Sequence, residues 1–135
     1  MRKAVCLILQ NKEGKILAVS RKNNHKLFGL VGGKVDETDL SLEFAIIREA
    51  KEETGLDVFN LKMIDDREYG MTKETLYHQH CFVGEYDGEI TPQDELNSLG
   101  ETGIVKWLDR KELENGFFGE YNKLMFNIID FDIWN

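Results

Sequence analysis

The sequence predicts an α/β fold, with a mixed, mostly antiparallel sheet packed between helices. Three observations lead there. Apolar runs of strand length recur on both sides of residue 50, separated by polar or glycine-containing turns. One segment between them, from Ser41 to Gly55, has helical spacing and a suitable residue at each end. A second helical pattern follows Glu120. At 135 residues and 41% hydrophobic content, the chain can bury a core without disulfide or zinc staples, and residues 1–135 read as one domain.

Residues 3–10 read as the first strand. Asn11-Lys12-Glu13-Gly14 turns the chain, because Asn and Gly tolerate left-handed backbone. Residues 15–21 return as a second strand, so an antiparallel hairpin is expected. Asn23-Asn24-His25 is a polar loop, and residues 27–31 form a short strand ending at Gly32-Gly33. A polar loop over residues 36–39 leads into the helix. Ser41 is its N-cap, Glu43 lies in its first turn, and Gly55 sits just past its end. Residues 58–69 and 75–86 read as two more strands, with Asp87-Gly88 as a turn. Residues 104–108 form another strand and 111–114 a helical turn. From Glu120 onward, Tyr121, Leu124, Met125, Ile128 and Ile129 recur at helical spacing and give an amphipathic helix.

Charge and cysteine usage narrow the function classes. The formal net charge of −8 disfavours electrostatic binding of a long nucleic acid. It leaves a small phosphorylated substrate open if metal ions carry the attraction locally. Cys6 and Cys81 sit in apolar, strand-like runs without the spacing of a zinc site, so buried thiols rather than a disulfide are expected. The apolar run after Met1 ends at Gln10-Asn11-Lys12 with no small-residue cleavage site, and reads as a strand rather than a leader. No run approaches the ~20 apolar residues of a membrane span. A cytoplasmic protein without a membrane partner is expected.

The helix from Ser41 to Gly55 carries the chemistry. At about 100° per residue, Leu42, Ala45 and Ile46 form an apolar stripe. Glu49 and Glu53 continue that stripe. Glu52 lies about 80° to its side, with Arg48 beside it. A solvated acidic patch is the plain alternative, and two costs oppose it. The helix dipole disfavours negative charge in the last turns by several tenths of a kcal/mol. Like charges four residues apart also repel. Arg48 supplies one counter-charge, and the remainder asks for a divalent cation. Hard carboxylate oxygens suit Mg²⁺, with Mn²⁺ as a substitute. Gly32-Gly33 just upstream lets backbone approach an ion or a phosphate closely.

These residues resemble the Nudix box. That pattern is a glycine, five residues, a glutamate, seven residues, Arg-Glu, an aliphatic residue, any residue, Glu-Glu, any residue, glycine and an aliphatic residue. Arg48-Glu49, Glu52-Glu53 and Gly55-Leu56 match in position, and Ala50 stands at the aliphatic position. Gly33 stands for the first glycine, but the stretch from Gly33 to Arg48 is one residue longer than the family spacing. Asp39 takes the place of the first glutamate if the extra residue follows it; otherwise that place falls to Leu40. The resemblance implies a Nudix α/β/α sandwich and a MutT-like hydrolase of nucleoside diphosphates linked to another moiety. It implies that Glu49, Glu52 and Glu53 bind divalent cations, that the Gly32 carbonyl adds a ligand, and that Arg48 orients a glutamate. Water would attack one phosphorus in line while a carboxylate takes its proton. Glu52 is the first choice for that base, and Glu101 the loop alternative.

The compact size resembles the MutT-like nucleoside triphosphate pyrophosphatases. A (d)NTP giving NMP and pyrophosphate is therefore the leading expectation. The alternatives are ADP-ribose, a dinucleoside polyphosphate or another nucleotide derivative, and a nucleotide-sensing module without catalysis. Arg21 reads as a phosphate contact or an exposed strand-end residue. Phe28 reads as a base-pocket wall or ordinary strand packing, and Gly33 as a phosphate contact. His78 and His80 share one strand face and read as a hydrogen-bonded or exposed pair before a metal pair. The partner expected is a small nucleotide, with a homodimer left open.

Overall fold

Strand alternation assembles one six-stranded sheet among the described residues, in the spatial order Asp57–Tyr69 (β4), Tyr77–Asp87 (β5), Lys3–Ile8 (β1), Asn24–Lys34 (β3), Ile16–Arg21 (β2) and Val105–Leu108 (β6). The computed structural model describes residues 2–91 and 103–134. Its helices are α1 (Leu42–Thr54), α2 (Arg110–Glu114) and α3 (Gly119–Trp134). β1 runs parallel to β5, and the other neighbouring pairs are antiparallel, so the sheet is mixed and mostly antiparallel.

Because side chains alternate across a strand, β1 feeds two cores. Val5 and Leu7 point to one face, where they meet Leu17, Phe82 and the inner residues Ala45, Ile46 and Ala50 of α1. Cys6 and Ile8 point to the other, where Ile16, Ala18 and Cys81 pack against Leu113, Met125 and Phe126. Among the described residues, no helix is long and apolar enough to cross a membrane.

α1 begins and ends where its cap residues dictate. The Ser41 hydroxyl accepts from the Phe44 N–H at 3.0 Å, a contact worth about 1 kcal/mol in such positions. Gly55 takes the left-handed φ of 81° that a side chain would resist, and its N–H donates to the Lys51 carbonyl at 3.0 Å.

The expected first hairpin is corrected by the sheet order. β1 and β2 are joined only at the base of the turn, where Asn11 N–H donates to Lys15 O and Leu17 N–H to Leu9 O. Beyond it, β3 slots between them and pairs with both. β3 is also longer than its apolar run, starting at Asn24, so Asn24 and His25 lie on a strand rather than in a loop. The reason is local fit to a distant neighbour. Gly32 pairs with Cys6, and a Cβ at Gly32 would run into the Val5 carbonyl, so β3 approaches β1 more closely than another residue allows. Turn chemistry sets where a chain reverses, whereas non-local pairing sets which strand lies beside which.

Candidate active site

The wheel geometry of α1 survives in three dimensions. Ala45, Ile46 and Ala50 are fully buried. Glu49 and Glu53 extend the same face, the Glu49 side chain being 15% exposed. Glu49 has room there because β3 offers Gly33: a Cβ at that position would lie 2.6 Å from Glu49 Oε1. Burial, together with the adjoining Glu49 carboxylate, pushes the Glu53 carboxyl up to about 9, with a bond from the Gly32 backbone partly opposing the rise. With its carboxyl raised this far, Glu53 keeps its proton at neutral pH unless a cation replaces it. The oxygens of Glu49 and Glu53 are the hard donors a divalent ion takes.

Arg48 is the hub of the cluster. Its Nε and Nη2 donate to Asp39 Oδ1 and Oδ2 at 2.8 and 2.9 Å, a two-pronged pair. Asp39 Oδ2 also accepts from the Asp36 N–H at 2.8 Å. The Arg48 hydrogen bonds hold the Asp39 carboxyl below the usual carboxylate range and raise Arg48 further. Leu40, by contrast, is 89% exposed. Asp39, not Leu40, is thus the residue of this loop that faces Arg48. Arg48 Nη1 then reaches Glu52 Oε2 at 3.2 Å and Glu49 Oε1 at 3.3 Å. Glu52 leans outward to meet it, with a side chain 59% exposed. In consequence Glu49 and Glu53 meet while Glu52 stands apart. Among the described residues no three His, Cys, Asp or Glu side chains already surround one point.

Two cavities flank this cluster. An acidic cleft of about 980 Å³ is lined by Ser20, Arg21, Gly32, Glu49, Glu52 and Glu53, among others. An aromatic cavity of about 500 Å³ is lined by Gly29, Tyr69, Phe117, Phe118, Tyr121 and Asn122, with further residues of β1 and β3. Arg21 and Gly32 line both. The Arg21 guanidinium sits 5.8 Å from the Phe117 ring centre, held over the boundary. Gly33 lines the aromatic cavity as well. Phe28 lines neither; it is half-buried against the α3-side core, with the Lys106 ammonium 5.7 Å from its ring. Glu101 lies outside the described residues.

The aromatic cavity contains residues the sequence reading passed over. Asn122 is buried, and its Nδ2 donates to the Leu113 carbonyl at 3.2 Å. That bond fixes the amide and leaves Oδ1 as the group with free accepting capacity. A signal for it exists in the sequence. Asn122, Met125, Phe126 and Ile129 recur at helical spacing, so a polar residue heads an apolar stripe, whereas in α1 the polar residues end one.

The histidine pair lies elsewhere. His78 and His80 stack with ring centres 4.6 Å apart, and His78 Nε2 lies 3.0 Å from Asp66 Oδ1. His80 is buried without a hydrogen-bond partner on either ring nitrogen. Its burial and the His78 ring lower its proton affinity. Neither imidazole lines the acidic cleft or the aromatic cavity.

A family model described as NUDIX domain matches residues 1–127. No curated protein matches the chain. Among solved structures, a MutT protein from a study of Aliivibrio salmonicida and Vibrio cholerae is 22% identical, with a TM-score of 0.69 over 96% of this chain and 97% of its own. The NUDIX domain of Shewanella oneidensis NrtR, complexed with ADP ribose, is 17% identical, with a TM-score of 0.71 over 97% and 87%. An ADP-ribose pyrophosphatase from Streptococcus suis is 21% identical, with a TM-score of 0.63 over 87% and 81%. At these identities the likeness is one of fold.

Proposed function

The chain belongs to the NUDIX domain family, and we propose that it is a pyrophosphohydrolase that cleaves a (d)NTP to NMP and pyrophosphate with Mg²⁺. The observation that carries this reading is the shared boundary of the two cavities. A nucleotide laid across Gly32 puts a flat base among Tyr69, Phe117, Phe118 and Tyr121, and its phosphates against the glutamates. Arg21 stands where the two parts join and meets the phosphate charge. Asn122 Oδ1 accepts from an N–H on the base edge.

Glu49, Glu53 and Glu52 would hold the divalent cations, with the Gly32 carbonyl as a further donor. When bound, the cations neutralise phosphate charge and acidify water. The chain's own residues do the rest. Asp39 fixes the plane of Arg48, and Arg48 fixes Glu52 and Glu49. Glu52, the exposed carboxylate of the three, takes the proton from water as it attacks phosphorus in line. The cytoplasm, with its nucleotide pools, suits this activity, and a homodimer is compatible with it.

The second reading, an ADP-ribose or other nucleotide-derivative hydrolase, draws on the Streptococcus suis and Shewanella oneidensis relatives. A sensing module without catalysis is disfavoured because all three helix glutamates are in place. A panel of nucleotides assayed with Mg²⁺ for phosphate and pyrophosphate release separates the readings. Pyrophosphate plus monophosphate from dNTPs is the expected outcome. Turnover of ADP-ribose or dinucleotides alone would sink the first reading, and no turnover on the whole panel would favour the sensor.

A further inference from the structure

The phosphate chemistry leaves the two cysteines unused. Cys6 on β1 and Cys81 on β5 are direct partners in the parallel pair, on the same face of the sheet, and both are free and buried. Neighbouring strands lie about 4.8 Å apart. The two Cα atoms therefore fall within the roughly 4.4–6.8 Å that a disulfide spans. Parallel Cβ atoms stay somewhat wider than the ~3.8 Å of a relaxed disulfide, so the bond would close under tension and reduce readily.

Access runs through the aromatic cavity. Cys6 lines it, and Cys81 stands beside Cys6 on the neighbouring strand. The Cys6 sulfur is 3.6 Å from the Tyr121 hydroxyl, whose ring lies 5.0 Å from that of Tyr69. Both tyrosines line the same cavity. Hydrogen bonds from Cys81 and then Tyr121 favour the thiolate at Cys6, against the effect of burial.

We propose that Cys6 and Cys81 form a reversible thiol pair in the wall of the aromatic cavity, converted by hydroperoxides to an intramolecular disulfide. In the first step the Cys6 thiolate attacks a peroxide oxygen. The O–O bond breaks, the departing hydroxide takes a proton to become water, and Cys6 becomes a sulfenic acid. In the second, the Cys81 sulfur attacks the Cys6 sulfur, the S–S bond forms, and the S–O bond breaks. The hydroxyl leaves as water with the Cys81 proton. Two thiols lose two electrons in total, and one hydrogen peroxide becomes two waters. Drawing the Cys6 sulfur toward Cys81 removes its contact with Tyr121 and shifts the Tyr121–Tyr69 wall. The substrate effect of that shift rests on the proposed function, but the thiol chemistry does not.

The test uses the full-length protein treated with hydrogen peroxide, followed by intact mass and a non-reducing peptide map. The expected product has lost two hydrogens, joins the Cys6 and Cys81 peptides within one chain, and reverts with dithiothreitol. Two thiols that still titrate after denaturation would overturn the proposal. So would oxygen adducts on a single cysteine, or a link only between chains. Cys81→Ser should gain oxygen at Cys6 without forming a disulfide; the wild-type map decides the question even if that variant does not fold. In nucleotide turnover the oxidised protein should show KM raised about tenfold and kcat little changed, both restored by dithiothreitol. A fully oxidised, active protein with unaltered KM overturns the link to the cavity wall. A protein inactive on all nucleotides would count against the proposed function, and the mass readout would still decide the thiol chemistry.

Discussion

Gly33 and Gly29 stand four residues apart on β3 and make room for opposite contents. A Cβ at Gly33 would strike the Glu49 carboxylate at 2.6 Å, and a Cβ at Gly29 would strike the Phe118 ring at 2.8 Å. One omitted methyl admits charge to the acidic cleft; the other admits an aromatic ring to the adjacent cavity. The two differ in how well the neighbour can retreat. Glu49 is hemmed in by Arg48, Glu53 and the core under α1. Phe118 belongs to the connection before α3, is only half-buried, and packs edge-on against the exposed Phe117. The same strand therefore shapes a rigid charged half and a more yielding apolar half.

Variants on the two sides sharpen this contrast. The largest effect is expected at Glu52→Gln, which keeps the Arg48 hydrogen bond and removes the base: turnover should fall at least about a hundredfold with little change in Tm. Wild-type rates in that variant would remove Glu52 from the mechanism. Next comes Gly33→Ala, whose methyl displaces Glu49 and should lower kcat roughly ten- to fiftyfold while raising the Mg²⁺ needed for half-maximal rate. An unchanged metal titration would break the claim that Gly33 houses a cation-binding carboxylate. Asp39→Asn loosens Arg48 from the loop and should lower kcat about tenfold at unchanged KM. Gly29→Ala tests the yielding side, with KM rising about threefold and kcat held. A loss equal to that of Gly33→Ala would erase the difference between the two halves.

His80 sits away from both glycines and provides the smallest effect. Its proton affinity is lowered in the fold, so on acidification the unfolded chain binds its proton first. Stability should therefore fall as pH drops below about 6.5, and the His80 contribution should level off once the folded imidazole also protonates. In thermal melts His80→Leu should show a shallower decline over that window. An identical decline would mean that other groups cause it.

The parts legible in the sequence were those whose causes are local. Ser41 and Gly55 fixed the ends of α1 by their own hydrogen-bonding and conformational preferences. The wheel separated Glu49 and Glu53 from Glu52 because helical spacing is set by the backbone. Strand neighbours were less legible: the Asn11–Gly14 turn reads as a hairpin, and nothing near it announces that β3 will pass between β1 and β2. Spacing alone left Asp39 and Leu40 equal, and only the forked geometry of Arg48 separates them. Phe28 reads as a base-pocket wall or as ordinary strand packing, and its alternation on β3 places it against the α3-side core. Asn122 was hidden in a helix identified by its apolar members.

The pairing of β1 with β5 also has a consequence for how the chain folds. Residues of β1 near position 3 hydrogen-bond to partners near position 78, across a parallel ladder at the centre of the sheet. Such a contact closes a long loop and gains nothing until most of the chain is available. During synthesis β1 must wait, its apolar edge unpaired on the β5 side, while β2, β3, α1 and β4 emerge. Folding should accordingly be limited by docking of β5. A mutation that weakens this ladder would slow refolding more than it speeds unfolding.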